Sequence, residues 1–382
     1  MIDVVWSGSA KDCSGYGSCT RSYLSNLSKY HSEEINVRLI PRNFFNGKLV
    51  SLSKEFPEVR EMIVSDNEKS DCFVQNLTPN IFVYDKSIPY HIGMTTFETD
   101  GLPNDWVMKM QAMDEIWTYT RFGQSAFRSA GINRPITVIP HGVDTDKFSP
   151  MNAGFEKFKK HFKDTYVFGA NFDWTDRKNP ELLLKAYWKA FDGRKDVVLL
   201  LKSYFQHPVS ESLKYMVDRI EECKESVDVK DFPKVYLISN IIPDSQIPEF
   251  YATLDAYVSC SSGEGWSLTA SEAMATGLPT ISTGWSGNTE FMNTSNSLLL
   301  DYKIVPVPAS FYSRHPSYAG QNWADPSEDD LIDKMKYLYS NREKGIDLGI
   351  VARLDMVNNW TWKDAVKKMN NRLNYLFGGS QY

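Results

Sequence analysis

Apolar and polar positions recur along this chain in two spacings. Short runs with the period of strands are separated by longer stretches with the period of helices. The pattern predicts strands over 3–6, 37–40, 91–97, 115–120 and 136–139, with helices over 20–30, 103–113 and 122–130. A second series opens with a strand over 166–170. Its next strand, 197–201, reads Val-Val-Leu-Leu-Leu, as expected of a parallel strand buried on both faces. Strands over 235–238, 256–259 and 279–282 follow with helices between them, and a final helix is predicted over 362–377. The helix after the first strand of this series has clear start signals: Asn179 as N-cap, Pro180 at its first position and Glu181 in its first turn. Such alternation is the mark of an α/β fold, and two series give two Rossmann-like halves facing across a cleft. The charged stretch 150–164 is the expected linker. The expected division is 1–150 for the first domain, 151–361 for the second, and 362–382 for a helix crossing back to the first.

Composition narrows the class. The 382 residues are too many for one ordinary core, in keeping with two domains. A 42% apolar and 13% aromatic content excludes a disordered or collagen-like chain. The formal charge of −6 divides evenly, with 15 basic against 18 acidic residues up to position 150 and 27 against 30 beyond it. Bulk charge therefore makes neither half a basic nucleic-acid module. Cys13, Cys19, Cys72, Cys223 and Cys260 are scattered, without the C-x2-C spacing of a zinc site. The opening MIDVVWSGSAKDC has no basic flank and reads as a strand rather than a secretory signal. No stretch approaches the roughly 18 apolar residues of a membrane span. Together these features point to a soluble, cytoplasmic protein.

In parallel α/β sheets, ligands sit beyond the carboxyl ends of the strands, so the chemistry is sought in the loops that follow them. The first such loop, 7–20, holds Gly15-Tyr16-Gly17 ahead of a helix, where glycines admit an anion and free amides receive it. It lacks a full G-x-G-x-x-G pattern, and a plain turn accounts for it equally well. In the second series, Arg177 and Lys178 stand directly ahead of a helix, the placement of a pyrophosphate clamp. A third loop leaves the strand ending at Ser259. Gly263 and Gly265 flank Glu264, and a helix runs from Leu268 to a stop at Gly277 and Pro279. Glu272 lies inside that helix among Ala270, Ala273 and Ala275. Its carboxylate is suited to accept both hydrogen bonds of a vicinal diol such as a ribose. The amides of Trp266, Ser267 and Leu268 at the helix start suit a phosphate.

Glu264 and Glu272 form an E-x7-E pair, and the run around them, from Val235 through Leu298, resembles the retaining glycosyltransferases of family 4 (glycosyl transferases group 1), which have the GT-B fold. The resemblance is carried by Asp244 to Tyr251, Gly263-Glu-Gly-Trp-Ser-Leu, Glu272-Ala-Met-Ala, Gly277-Leu-Pro and Gly287-Asn-Thr-Glu290. It continues in the first half in Phe97-Glu-Thr, Leu102-Pro-Asn-Asp-Trp106 and Pro140-His-Gly-Val-Asp144. It implies a retaining transfer of a hexose or pentose from a nucleotide-diphosphate sugar, UDP- or GDP-linked, to a hydroxyl acceptor. By position, it implies that Arg177 and Lys178 hold the donor diphosphate. Glu264 would stand near the transferred sugar, with Gly265, Trp266, Ser267 and Leu268 on sugar and phosphate oxygens. Glu272 would hold the ribose, Gly15 and Gly17 would face the diphosphate from the other domain, and Glu98 would fall near the reacting centre. Lys178, Glu264 and Glu98 are thus the expected catalytic residues.

No cofactor beyond the donor is expected, and no metal. Asp144-Thr-Asp146 is a formal D-x-D, but it sits in a turn where acidic caps are ordinary. His91 and His141 read as structural. The acceptor is expected to be a glycan, or a lipid-linked or protein-linked sugar. The aromatic stretch 43–46 and the Trp106 helix are candidates to stack a sugar ring, with core packing the simpler role. The even charge balance disfavours a nucleic-acid acceptor without removing it. Glycosylation of a modified base in viral DNA therefore stands as an alternative, as does a non-catalytic nucleotide-sugar binding protein. Peripheral contact with a membrane is left open, although no basic amphipathic helix marks it.

Overall fold

The computed structural model describes residues 1–42, 50–65, 69–205, 211–240 and 242–378; the aromatic stretch 43–46 lies outside them. The chain forms two compact units. The first comprises Met1–Gly142, Val307–Gln321 and the chain from Trp360; the second comprises Val143–Pro306 and Asn322–Asn359.

The sheet of the first unit is built from β1 (Ile2–Gly8), β2 (Ile35–Pro41), β3 (Cys72–Asn76), β4 (His91–Met94), β5 (Glu115–Thr118) and β6 (Ile136–Val138). The strands are all parallel, in the order β2-β1-β3-β4-β5-β6. β3 escaped the sequence reading because its five residues, Cys-Phe-Val-Gln-Asn, are all buried and show no alternation. β4 is shorter than the predicted 91–97: its pairing with both neighbours ends at Met94. Helix α1 (Gly15–His31) starts five residues before the predicted 20. The Ser14 side chain caps it by accepting from the Gly17 amide at 3.1 Å, a start signal that outweighs two glycines. The final helix, Trp362–Phe377, opens with a capping box at Thr361 and packs on α1, with the Tyr23 and Trp362 rings 5.0 Å apart. Gly142 lies under its first residue, where a Cβ would come within 2.2 Å of the Trp362 nitrogen. Arg372 of this helix reaches the fully buried Glu115 through two hydrogen bonds of 3.0 and 2.7 Å.

The second unit contains β7 (Tyr166–Asp173), β8 (Val197–Tyr204), β9 (Lys234–Ile238), β10 (Ala256–Ser259), β11 (Thr280–Thr283) and β12 (Leu298–Leu300). Its parallel order is β12-β11-β10-β7-β8-β9, the doubly wound arrangement in which the winding reverses between β7 and β10. Helices α2 (Pro180–Ala190) and α3 (Leu268–Ala275) follow the two strands at that switch point. Phe168, Ala170 and Phe172 of β7, Leu199 and Leu201 of β8, and Leu183 and Tyr187 of α2 share one buried core. Stretch 150–164, expected as a linker, is instead part of this unit. Phe155 and Phe162 flank a short helix, Glu156–His161, that carries Phe158. The Phe158 and Phe162 rings stack at 5.4 Å, and the Phe155 amide donates to Thr253 Oγ1 at 2.9 Å. The lysines between those phenylalanines hid an apolar face. Two further strands, β13 (Tyr302–Pro306) and β14 (Asn322–Pro326), pair antiparallel, and residues 307–321 between them belong to the first unit.

Candidate functional site

The switch point of the second unit gathers most of the residues singled out from the sequence. After β7, a 3-10 turn, Asp176–Lys178, ends at Asn179, whose backbone is left-handed at φ 52°. Asn179 occupies the N-cap position of α2, but its side chain does not cap the helix. It crosses instead to the loop after β10, donating to the Cys260 carbonyl at 2.8 Å and to Ser262 Oγ at 2.9 Å. The Ser262 amide answers by donating to the Arg177 carbonyl at 2.7 Å. The two loops are thereby tied into one body, which fixes where Arg177 and Lys178 can point.

Both cations point at Glu264. Lys178 Nζ lies 2.5 Å from Glu264 Oε1, and Arg177 Nη1 lies 3.7 Å from Oε2 while donating to the Gly263 carbonyl. Glu264 is buried, and burial alone would raise its pKa. The two cations and the Lys178 hydrogen bond outweigh that and hold the carboxyl below its ordinary value. The site is thus built as a charged cluster, with an ionised carboxylate between two cations. Around it the backbone is tightly specified. The Glu264 amide donates to Ser286 Oγ at 2.8 Å, and the Gly287 amide donates to the Glu264 carbonyl at 2.9 Å. Ser286 is held at φ 76°, and a Cβ on Gly287 would meet the Gly265 carbonyl oxygen at 2.4 Å. Gly287 is therefore required by the close approach of the two loops.

Trp266, Ser267 and Leu268 lead into α3. The Trp266 ring packs against Phe291 at 4.9 Å. Ser267 is left-handed at φ 81°, is buried, and does not cap the helix; among the described residues its Oγ has no hydrogen-bond partner. A left-handed residue and a buried, unsatisfied hydroxyl at a helix N-terminus can chemically receive an oxygen-rich anion.

One turn into α3, Glu272 accepts from the Tyr251 hydroxyl at 2.7 Å. That hydroxyl also accepts from Asn171 Nδ2 at 3.4 Å, at the carboxyl end of β7. Burial is the main cause that raises the Glu272 carboxyl to about 7, against smaller lowering by the Tyr251 hydrogen bond, Lys147 and Lys202. Tyr251, Asn171, Asn179 and Ser286 were not singled out from the sequence. For Tyr251 and Ser286 the only available signal is position within the stretch 235–298 that carries the family resemblance, and Asn179 reads from the sequence as a cap.

The remaining expected residues lie in other surroundings. Gly15 and Gly17 form the first turn of α1. A Cβ on Gly17 would lie 2.3 Å from the Asp12 carbonyl oxygen, so packing alone requires glycine there. Glu98, in the loop after β4, accepts from the Tyr318 hydroxyl at 2.8 Å. Nearby, the Tyr16 hydroxyl lies 3.2 Å from Thr95 Oγ1. His141 is buried between Tyr23 and Cys19, and burial lowers it to about 3, which keeps it neutral. His91 is also buried, with Nε2 2.8 Å from the Asp85 carbonyl. Asp144 and Asp146 are exposed, and Asp144 Oδ1 accepts the amides of Asp146 and Lys147 at 3.1 and 2.9 Å, a turn cap. Among the described residues, no three His, Cys, Asp or Glu side chains are grouped to hold a metal, and no helix is long and apolar enough to cross a membrane.

Residues 163–305 match the family model described as glycosyl transferases group 1. The matched segment begins just before β7 and ends within β13, so it carries the whole parallel sheet of the second unit together with Arg177, Lys178, Glu264 and Glu272. A search of curated proteins finds no match. Solved structures of similar fold include a glycosyltransferase from Rickettsia africae, at 14% identity and a TM-score of 0.70 over 99% of both chains. Sucrose-phosphate synthase from Thermosynechococcus elongatus is similar at 13% identity and a TM-score of 0.69 over the whole of both. Anabaena Alr3699/HepE in complex with UDP and glucose is similar at 13% identity and a TM-score of 0.66, over 98% of this chain and all of that one. At such identities the likeness is one of fold. The fold is GT-B, two Rossmann-like α/β domains in one chain.

Proposed function

We propose that the protein is a retaining glycosyltransferase of family 4, transferring a hexose or pentose from a nucleotide-diphosphate sugar to a hydroxyl acceptor. The observation that carries this reading is the Lys178–Glu264–Arg177 cluster, set at the switch point beside the unsatisfied Ser267 hydroxyl and within a segment that matches a glycosyltransferase family. The UDP and glucose named with the Anabaena structure favour a uridine-linked donor here as well.

In this reading the donor diphosphate lies against Lys178, Arg177 and the amides of Gly265 to Leu268. Negative charge grows on the leaving phosphate as the glycosidic bond lengthens. Fixed cations and amides stabilise it without reorganising, as in an oxyanion hole. Glu264 orients Lys178 and lies near the transferred sugar, and Glu272 takes the ribose diol. The leaving phosphate itself accepts the acceptor's proton on the face it departs from, so the configuration is retained and no protein nucleophile is required. Glu98 acts on the acceptor side. The reaction assigns no metal, in keeping with the use of Asp144 Oδ1 as a turn cap. The acceptor is a glycan.

The test is release of nucleoside diphosphate from a panel of nucleotide sugars, with the product anomer read by NMR. A product of inverted configuration refutes the retaining reading. Lys178→Ala is expected to lower donor affinity about tenfold or more, the worth of a hydrogen bond to a charged group. Unchanged donor affinity and turnover in that variant would remove Lys178 from the donor site.

A further inference from the structure

Lys202 is a buried lysine that the proposed reaction leaves without a role. It ends an otherwise apolar run in β8 and is only 5% exposed. A lysine is almost never so buried without a use for its charge. Its place in the sheet narrows that use. β8 lies next to β7, and their register sets Lys202 opposite Asn171 at the carboxyl end of both strands. Partners in a parallel ladder present their side chains to the same face. Lys202 therefore shares a face with Asn171, and on that face the Tyr251 hydroxyl links Asn171 to Glu272. Two residues further along, on the same face of β8, Tyr204 puts its ring 4.5 Å from the Lys202 ammonium. The row across the strand ends thus runs from Glu272 through Tyr251 and Asn171 to an ammonium backed by an aromatic ring.

If Glu272 takes the ribose and Lys178 the diphosphate, the group on the far side of the ribose is the nucleobase. We infer that Lys202 reads the base of the donor, donating to the carbonyl oxygen that uracil and guanine carry where cytosine and adenine carry an amino group. An ammonium has three donors and no acceptor, so it satisfies a keto oxygen and opposes an amino group. Tyr204 holds the ammonium in place and offers its ring to the base. This inference rests on the donor-site reading above and adds to it a chemical class of nucleotide.

Isothermal titration with UDP, CDP, GDP and ADP tests it, on the wild-type chain and on Lys202→Met and Lys202→Gln. In the wild type, UDP is expected to bind at least about tenfold more tightly than CDP, and GDP more tightly than ADP, as befits a charged hydrogen bond gained against one opposed. Lys202→Met keeps the length of the side chain and removes a buried charge. It is expected to fold and to bring the UDP-to-CDP ratio close to one. Lys202→Gln covers the case in which Met disturbs the sheet. A wild type without keto preference, or a variant that keeps it, overturns the inference. Equal weakening of all four nucleotides by Lys202→Met also overturns it, because the ammonium would then serve phosphate. Failure of every nucleotide to bind the wild type overturns the donor-site reading itself.

Discussion

Glu272 makes donor binding depend on pH in a direction that its environment dictates. A ribose diol donates two hydrogen bonds, and only an ionised carboxylate accepts both. Burial raises the Glu272 carboxyl to about 7. About one molecule in ten is therefore ready at pH 6 and about nine in ten at pH 8, and apparent affinity scales with that fraction. A nucleotide sugar should consequently bind roughly tenfold more tightly at pH 8 than at pH 6. UDP-glucose is the suitable ligand, because its esterified diphosphate does not titrate in this range. The assay is titration calorimetry across the interval, with Glu272→Gln as the control. That variant should bind more weakly at pH 8 and show a flat profile. Stability of the unliganded protein should move the other way. The folded-state pKa lies above the unfolded value of 4.5, so the contribution of this group is fully present below pH 4.5 and is lost as pH rises through 7. Wild-type affinity that is level from pH 6 to 8, or a Glu272→Gln variant that keeps the slope, would refute the assignment of the ribose to Glu272.

Two further perturbations test the supports. Arg372→Met should destabilise the first unit by about 3–5 kcal/mol, the cost of leaving a buried carboxylate without its counter-ion. Glu115 is fully buried and, among the described residues, would keep only the hydrogen bonds from Trp117, Thr137 and Tyr90. Urea unfolding followed by circular dichroism measures this, and adding Glu115→Gln to the variant should recover part of the loss. Gly287→Ala should abolish most donor binding, since its Cβ would meet the Gly265 carbonyl at 2.4 Å and push the Glu264 loop out of place. Calorimetry with UDP checks it, and wild-type affinity would show that the loop yields at no cost.

The strands of the second unit that carry the site were legible in the sequence, for a physical reason. β7 and β8 hold apolar runs, β10 is short but apolar at its start, and each leads into a loop that carries charge, so these strands and the residues at their ends could be read in order. β3, a short strand with no alternation, could not, and neither could the antiparallel pair of β13 and β14, of which β13 is mostly exposed. Within the site, residue types announced themselves where the chemistry needs a charge, as at Lys178, Glu264 and Glu272. Asn179 illustrates the opposite case. Its position ahead of Pro180 is what an N-cap looks like, yet a left-handed backbone turns its amide toward a loop about 80 residues away. No local pattern encodes that partner. Tyr251 and Ser286 were hidden in the same way, since each matters through a long-range contact with Glu272 or with the Glu264 amide.

The chain's four passages between its units have a consequence for how the protein is made. The first unit requires residues 307–321 and the final helix, whereas the second is complete at Asn359. During vectorial synthesis the sheet of the first unit emerges early, then waits about 220 residues for Trp362 and Arg372. At about 5–20 residues per second, that delay is roughly 10–45 s. Over that time Glu115 has no arginine and Tyr23 lacks the Trp362 ring. The unit encoded second is therefore the one whose parts are all available first, and the amino-terminal sheet is the part of the nascent chain most in need of a chaperone.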